Sequence, residues 1–237
     1  YKGDEQMNKD FFVREIEANS GMLYRVAYTI LRNDDACRDA LPAAVTCPRC
    51  GKAECFCKNE SPYTAALSLY LYDGSAKAGV LALKTGTSRN FAVWVGLRLA
   101  QALDERFSGQ IPADFLVPVP MTRRGLRTRG YNQAALIAKA VSRATGIPVR
   151  EDCLRREADT AVQHHLSSAA REENAKHYAG CGQNLTGARI LLCDDVITTG
   201  ATAGRCASLL LAQGAASVML LAGTTTERKE LSHGHRD

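Results

Sequence analysis

No apolar stretch of this 237-residue chain approaches the roughly 18 residues that a helix needs to cross a bilayer, so no membrane-spanning helix is expected. The start of the sequence also lacks a basic patch leading into an apolar stretch and a small-residue cleavage site, which makes the cytoplasm the expected location. Charge of one sign is not in large excess either: 30 Lys plus Arg stand against 25 Asp plus Glu, a formal net charge of +5. That surplus suits a phosphorylated ligand and falls short of the footprint of a strong nucleic-acid binder. There is no internal repeat and no low-complexity segment, and 46% hydrophobic with 23% charged residues excludes disorder throughout. A Walker phosphate loop is absent as well, because G-x-x-x-x-G-K-[ST] occurs nowhere in the sequence.

Cysteine is plentiful but unevenly placed. Of nine, five fall between Cys37 and Cys57, and the other four (Cys153, Cys181, Cys193, Cys206) are scattered. In a reducing compartment such a cluster reads as a metal site before a disulfide framework. CPRCGKAECFC sets Cys47 and Cys50 two residues apart, then Cys55 and Cys57 one apart. Two thiolates on a glycine-supported turn can share one ion, and four close a tetrahedral shell, so Cys47, Cys50, Cys55 and Cys57 are the expected ligands of a structural zinc. Cys37 is an alternative ligand.

Beyond the cluster, TAALSLYLYDG alternates as a strand, and SAKAGVLALK and SRNFAVWVGLRLAQALDERF show apolar residues at helical spacing. IPADFLVPVP is a short buried strand, NQAALIAKAVSRATG a helix closed by Gly146, and ARILLCDD an apolar strand stopped by two acids. TAGRCASLLLAQG is a helix ending at Gly214, and SVMLLAG a last strand. Strands alternating with helices predict an α/β domain whose sheet is mainly parallel. The arginines of RRGLRTR read as a basic loop, and residues 153–178 as a polar segment containing His164 and His165.

The most informative stretch is ILLCDDVITTGATAGRCASLL. A buried strand runs through two acids into a loop of small and hydroxylated residues and then a helix, at the strand edge where open α/β sheets bind ligands. Thr198, Thr199, Gly200, Ala201 and Thr202 offer backbone N–H and side-chain O–H groups at a helix start, where the dipole favours an anion. Asp194 and Asp195 would repel a phosphate; they suit ribose hydroxyls or a magnesium ion. The combination predicts a sugar phosphate.

DDVITTGAT resembles the signature of type I phosphoribosyltransferases, which bind phosphoribosyl pyrophosphate (PRPP). With VPVPMTRRGLRTRGYNQAALIAKAV and LRREADTAVQHHLSSAAREEN ahead of it, the chain from about Cys47 to Thr226 resembles the ComF family of late-competence, phosphoribosyltransferase-like proteins. The resemblance implies a type I phosphoribosyltransferase-like α/β fold, a mainly parallel sheet flanked by helices, with a short N-terminal zinc knuckle. It implies that Asp194 and Asp195 hold the ribose 2′ and 3′ hydroxyls, that Val196, Ile197 and Thr198 to Thr202 line the ligand, with the 5′ phosphate in the threonine loop, and that Met121, Thr122, Arg123, Arg124 and Lys84 lie near pyrophosphate. Thr160, Gln163, Arg171 and Asn174 are at the family's spacing in a segment that closes over the site, with Gln163 and Arg171 contacting substrate. Zinc and magnesium are the implied metals, and single-stranded DNA or proteins of the competence machinery the implied partners beside PRPP. Residues 10–40, with LYRVAYTILRN, resemble instead the first region of extracytoplasmic-function sigma factors, a helical extension over 1–45. The expected order is therefore extension 1–45, knuckle 46–60, phosphoribosyltransferase-like domain 61–226 and tail 227–237.

Overall fold

The computed structural model of the chain describes residue 47 and residues 61–87, 89–157 and 175–226. The helical extension, Cys50, Cys55 and Cys57, Thr160, Gln163, His164, His165, Arg171, Asn174 and the tail lie outside the described residues.

Strand β1 (Ala65–Leu71) leads into helices α1 (Gly74–Thr85) and α2 (Asn90–Phe107), then β2 (Phe115–Pro118), α3 (Arg123–Arg129) and α4 (Gln133–Thr145). Two short strands, β3 (Leu154–Arg156) and β4 (Tyr178–Gly180), precede β5 (Arg189–Ile197), α5 (Ala201–Ala212) and β6 (Ser217–Thr225). The main sheet has the order β1-β6-β5-β2, and every pairing in it is parallel. Val149 adds a parallel bridge beside Leu116 at the β2 edge. The α/β architecture with a parallel sheet is thus as expected, and among the described residues no helix is long and apolar enough to cross a membrane.

A parallel sheet covered on both faces needs apolar side chains on both. Leu191 and Cys193 of β5 and Met219 and Leu221 of β6 pack with Val95, Leu99, Leu103 and Ile137 from α2 and α4. Their neighbours Ile190, Leu192, Val218 and Leu220 pack with Ala203, Cys206 and Leu210 of α5. Leu99, Leu192, Leu210 and Leu220 are fully buried, each contributing about 2 kcal/mol by leaving water. Small residues let α2 and α4 touch: a Cβ on Gly96 would sit 2.4 Å from that of Ala140.

Three elements differ from the expectation. The basic stretch after β2 is a helix rather than a loop, because the Thr122 hydroxyl accepts the Gly125 N–H at its start and Gly130 closes it in a left-handed conformation. Strand β5 does not stop at its acids. Its ladder with β6 runs on to Ile197 opposite Thr225, since main-chain pairing is indifferent to the carboxylates beside it. Residues on both sides of 158–174 form the antiparallel pair β3–β4, each strand too short to print a period on the sequence.

Candidate functional site

The site begins at the end of β5. Alternation along a strand sends adjacent side chains to opposite faces. Asp195 turns to the α1 side, where Lys84 Nζ lies 3.3 Å from its Oδ2. Asp194 turns to the α5 side, where its charge reaches Tyr178 and Cys206, and one of its oxygens accepts the Asp195 N–H at 2.9 Å. Burial pushes the Asp194 carboxyl well above the usual carboxylate range; the negative charge of Asp195 adds to this, and Lys84 offsets only part of it. At Lys84 burial favours the neutral amine, but the Asp195 carboxylate outweighs it and holds the ammonium above its ordinary value.

Lys84, which the resemblance puts near pyrophosphate, is paired here with Asp195, and the last turn of α1 is pinned in place. The Tyr131 hydroxyl, buried, donates to the Leu83 carbonyl, and the Arg89 guanidinium lies 4.6 Å from the centre of the Tyr131 ring. The next residue, Asn132, donates from Nδ2 to the Val119 carbonyl at 2.9 Å and accepts the Ala134 N–H at 3.0 Å. Val119 in turn donates to the Cys193 carbonyl at 2.8 Å. Tyr131 and Asn132 thereby join Lys84, the turn after β2 and the acid end of β5.

After Ile197 the chain forms the threonine loop. Gly200 occupies the N-cap of α5 at φ 85° with no side chain to cap the helix, a conformation that glycine adopts without strain. The Thr199 hydroxyl accepts the Ala201 N–H at 3.3 Å, and Thr226 anchors the loop by donating from Oγ1 to the Thr198 carbonyl at 3.4 Å. Gly200 itself caps none of the first-turn donors of α5, so beyond the Ala201 N–H taken by Thr199 the start of the helix keeps main-chain donors of the kind that receive an anion. Ile197 is 2% exposed and belongs to the core, and Val196 packs partly against the opposite cluster. Both side chains pack within the strand layer, directly ahead of the loop.

Beside this edge opens a cleft of about 630 Å³ lined by Arg123, Arg124 and Arg127 of α3 and by Arg155 and Arg156 of β3, with Glu157 as its acid. Arg155 and Arg156 were not singled out in the sequence; no spacing links them to α3, and only the placement of β3 against the turn brings the two groups together. Arg156 lies over the Tyr178 ring, 5.3 Å from its centre. The Tyr178 phenol, held protonated by burial, hydrogen-bonds with the Thr202 side chain. Tyr178 thus stands between the cleft, the loop and Asp194.

Two carboxylates at a strand end are hard oxygen donors of the kind magnesium accepts. Among the described residues no group of three or more metal-capable side chains gathers, so a cation here would draw its remaining ligands from a phosphorylated partner and water. Of the four knuckle cysteines only Cys47, half-buried, is described.

An acid pair, a glycine-hinged loop at a helix start and a basic cleft thus share one edge of a parallel sheet in an α/β protein. No family model matches the chain. It is 34% identical to the DNA utilization protein YhgH of Salmonella typhimurium over 183 residues, 76% of this chain and 79% of that one. It is 31% identical to competence protein F of Haemophilus influenzae over 136 residues, 54% of this chain and 59% of that one. The chain belongs to the ComF family, which these relatives represent. Among solved structures, glutamine PRPP amidotransferase from B. subtilis is similar at TM-score 0.37 and 19% identity, over 72% of this chain and 33% of that one. A purine phosphoribosyltransferase from Pyrococcus horikoshii is similar at TM-score 0.34 and 17% identity, over 57% and 85%.

Proposed function

We propose that the chain binds PRPP across the end of β5 and transfers its phosphoribosyl group to an acceptor, releasing pyrophosphate. The observation that carries this reading is the sorting of charge along one edge: main-chain donors at the start of α5, two carboxylates beside them, and arginines in the adjoining cleft. PRPP has the same order, with a 5′ phosphate, ribose hydroxyls and a diphosphate at C1. Thr198 to Thr202 would hold the 5′ phosphate, Asp194 and Asp195 the hydroxyls, and Arg123, Arg124, Arg155 and Arg156 the diphosphate. Gln163 and Arg171 complete the proposed contacts.

Little proton transfer is required. As the C1–O bond breaks, positive charge spreads over the sugar ring and negative charge grows on the departing diphosphate; the carboxylates face the first and the guanidiniums the second. Lys84, now paired with Asp195, is released toward the diphosphate end once ribose hydroxyls take its place. Magnesium, when bound, would neutralise part of the diphosphate charge. Cys47, Cys50, Cys55 and Cys57 would hold a structural zinc ahead of the domain, and the protein would work in the cytoplasm.

A second reading, in which the pocket binds PRPP or single-stranded DNA without turnover and serves DNA uptake with competence proteins, is favoured by the five arginines, more cations than a diphosphate needs. Pyrophosphate release from labelled PRPP with magnesium, measured across nucleobase, amine and single-stranded DNA acceptors, separates the two. Release supports transfer; saturable binding without release supports the second reading; no binding of PRPP defeats the first outright. Metal analysis of protein purified without chelator should give about one zinc per chain, and less than a tenth of that would remove the knuckle.

A further inference from the structure

The β3–β4 pair brings together two cysteines that the site does not use. Cys153 directly precedes β3 and Cys181 directly follows β4, and the register sets Leu154 opposite Gly180. One step further along the antiparallel ladder Cys153 faces Cys181, whose N–H donates to the Cys153 carbonyl at 3.1 Å. Residues opposed in this way stand about 5.5 Å apart at Cα, with side chains on the same face, near the middle of the span that a disulfide bridges. Both thiols are free. The backbone on either side is held by one side chain: the Gln213 amide donates to the Cys153 carbonyl at 3.2 Å and accepts the Gln183 N–H at 3.0 Å.

We propose that Cys153 and Cys181 form a reversible dithiol–disulfide pair, oxidised by hydrogen peroxide, that ties β3 to β4 next to the arginines of the cleft. The two thiols differ in the way such a pair requires. Cys181 is half-buried and meets the oxidant first: its sulfur takes one peroxide oxygen, becoming a sulfenic acid, and a water leaves. Cys153 is 0% exposed and burial pushes its thiol up to about 11, so it is slow toward peroxide in solution but faces the sulfenic sulfur. Its sulfur displaces the hydroxyl, which leaves with the Cys153 proton as a second water. Two thiols are oxidised and one peroxide is reduced to water, and a dithiol reductant reverses the change. Cys193 and Cys206 are also fully buried, and neither stands opposite Cys153 or Cys181 on a strand ladder, which makes them internal controls.

The test is thiol mapping of the full chain: reduction, removal of the reductant, exposure to hydrogen peroxide, alkylation in denaturant, and mass spectrometry of the peptides. The expected result is a linked peptide pair carrying Cys153 and Cys181 that disappears with dithiothreitol, while Cys193 and Cys206 are recovered alkylated. The oxidised protein should also unfold at a higher temperature than the reduced one, a shift missing in Cys181→Ala. Recovery of Cys153 and Cys181 as separate alkylated peptides, or equal linkage of Cys153 to Cys193 or Cys206, would overturn the proposal. The mapping of the unsubstituted chain decides it even if the variant folds poorly.

Discussion

The end of β5 and the cleft beside it treat charge in opposite ways. At the strand end two carboxylates share one ammonium, that of Lys84, and Asp194 is driven toward its neutral form by burial and by its neighbour; negative charge there is rationed, and the donors for an anion come from the main chain. In the cleft, five arginines and one glutamate line the wall, with Arg155 paired to Glu157 at 3.4 Å, and positive charge accumulates on residues from two elements. Such a surplus of positive charge suits a polyanion. The strand end instead suits hydroxyls, which donate to a carboxylate without adding charge. A ligand that satisfies both has hydroxyls between anionic ends.

The largest effect should come from unloading the cleft. Replacing Arg155 and Arg156 together by Ala removes two charge-assisted contacts worth about 1.5 kcal/mol each. PRPP affinity in calorimetry is therefore expected to fall roughly a hundredfold, while Arg143→Ala, exposed on α4, leaves it unchanged. Because Arg156 also lies over Tyr178, the double variant needs a parallel unfolding measurement. Unaltered affinity in a folded double variant would mean that the diphosphate end lies elsewhere, and the contrast between the regions would lose its functional meaning.

The same contrast explains what could be read in advance. The strand end is written in one continuous stretch: Arg189 to Ile197 are the strand, Thr198 to Gly200 the loop, and Ala201 onward the helix, so local pattern finds the acids, the loop and the helix and misses only the strand's run past the acids. The cleft is written in two places about thirty residues apart, and the second of them is a strand held to β4 by a ladder of only three residue pairs, too short to alternate visibly. The arginines of LRREAD therefore carried no sign of their partners on α3. Lys84 was legible as a cation of the site but not as the partner of Asp195, because its position depends on the Tyr131 hydroxyl 47 residues later in the chain. Helix α3 was missed for a simpler reason. Seven residues crowded with arginine look like a solvated loop unless the caps at Thr122 and Gly130 are weighed first.

A smaller effect sharpens the acid end. The folded pKa of Asp194 lies above its unfolded value, so between the two the folded state binds more protons and stability falls as pH rises through that window, then levels off. Below the ordinary carboxylate pKa of about 4 both states are protonated and there is no penalty. Asp194→Asn removes the penalty at neutral pH. It should stabilise the protein by roughly 1 kcal/mol at pH 7, as relief of a strained site commonly does, with the advantage vanishing at low pH in thermal unfolding. PRPP affinity should drop about tenfold, or 1.4 kcal/mol. A variant destabilised at pH 7 would show that the Asp194 carboxylate is stabilised by its surroundings, contrary to its burial beside Asp195.

The smallest effect concerns the link between the two regions. Tyr131→Phe keeps the ring under Arg89 and deletes only the donor to the Leu83 carbonyl, a loss of about 1 kcal/mol for one buried hydrogen bond. Its value is diagnostic. With the last turn of α1 loosened, Lys84 should spend less time on Asp195, so the midpoint of urea unfolding should shift less in Tyr131→Phe combined with Lys84→Met than the two single changes add up to. Lys84 is 37% exposed and Asp195 16%, so solvent screening limits this coupling to roughly 0.5 kcal/mol. Strict additivity would separate the tyrosine from the ion pair and leave the acid end and the arginine helix as independent halves of the edge.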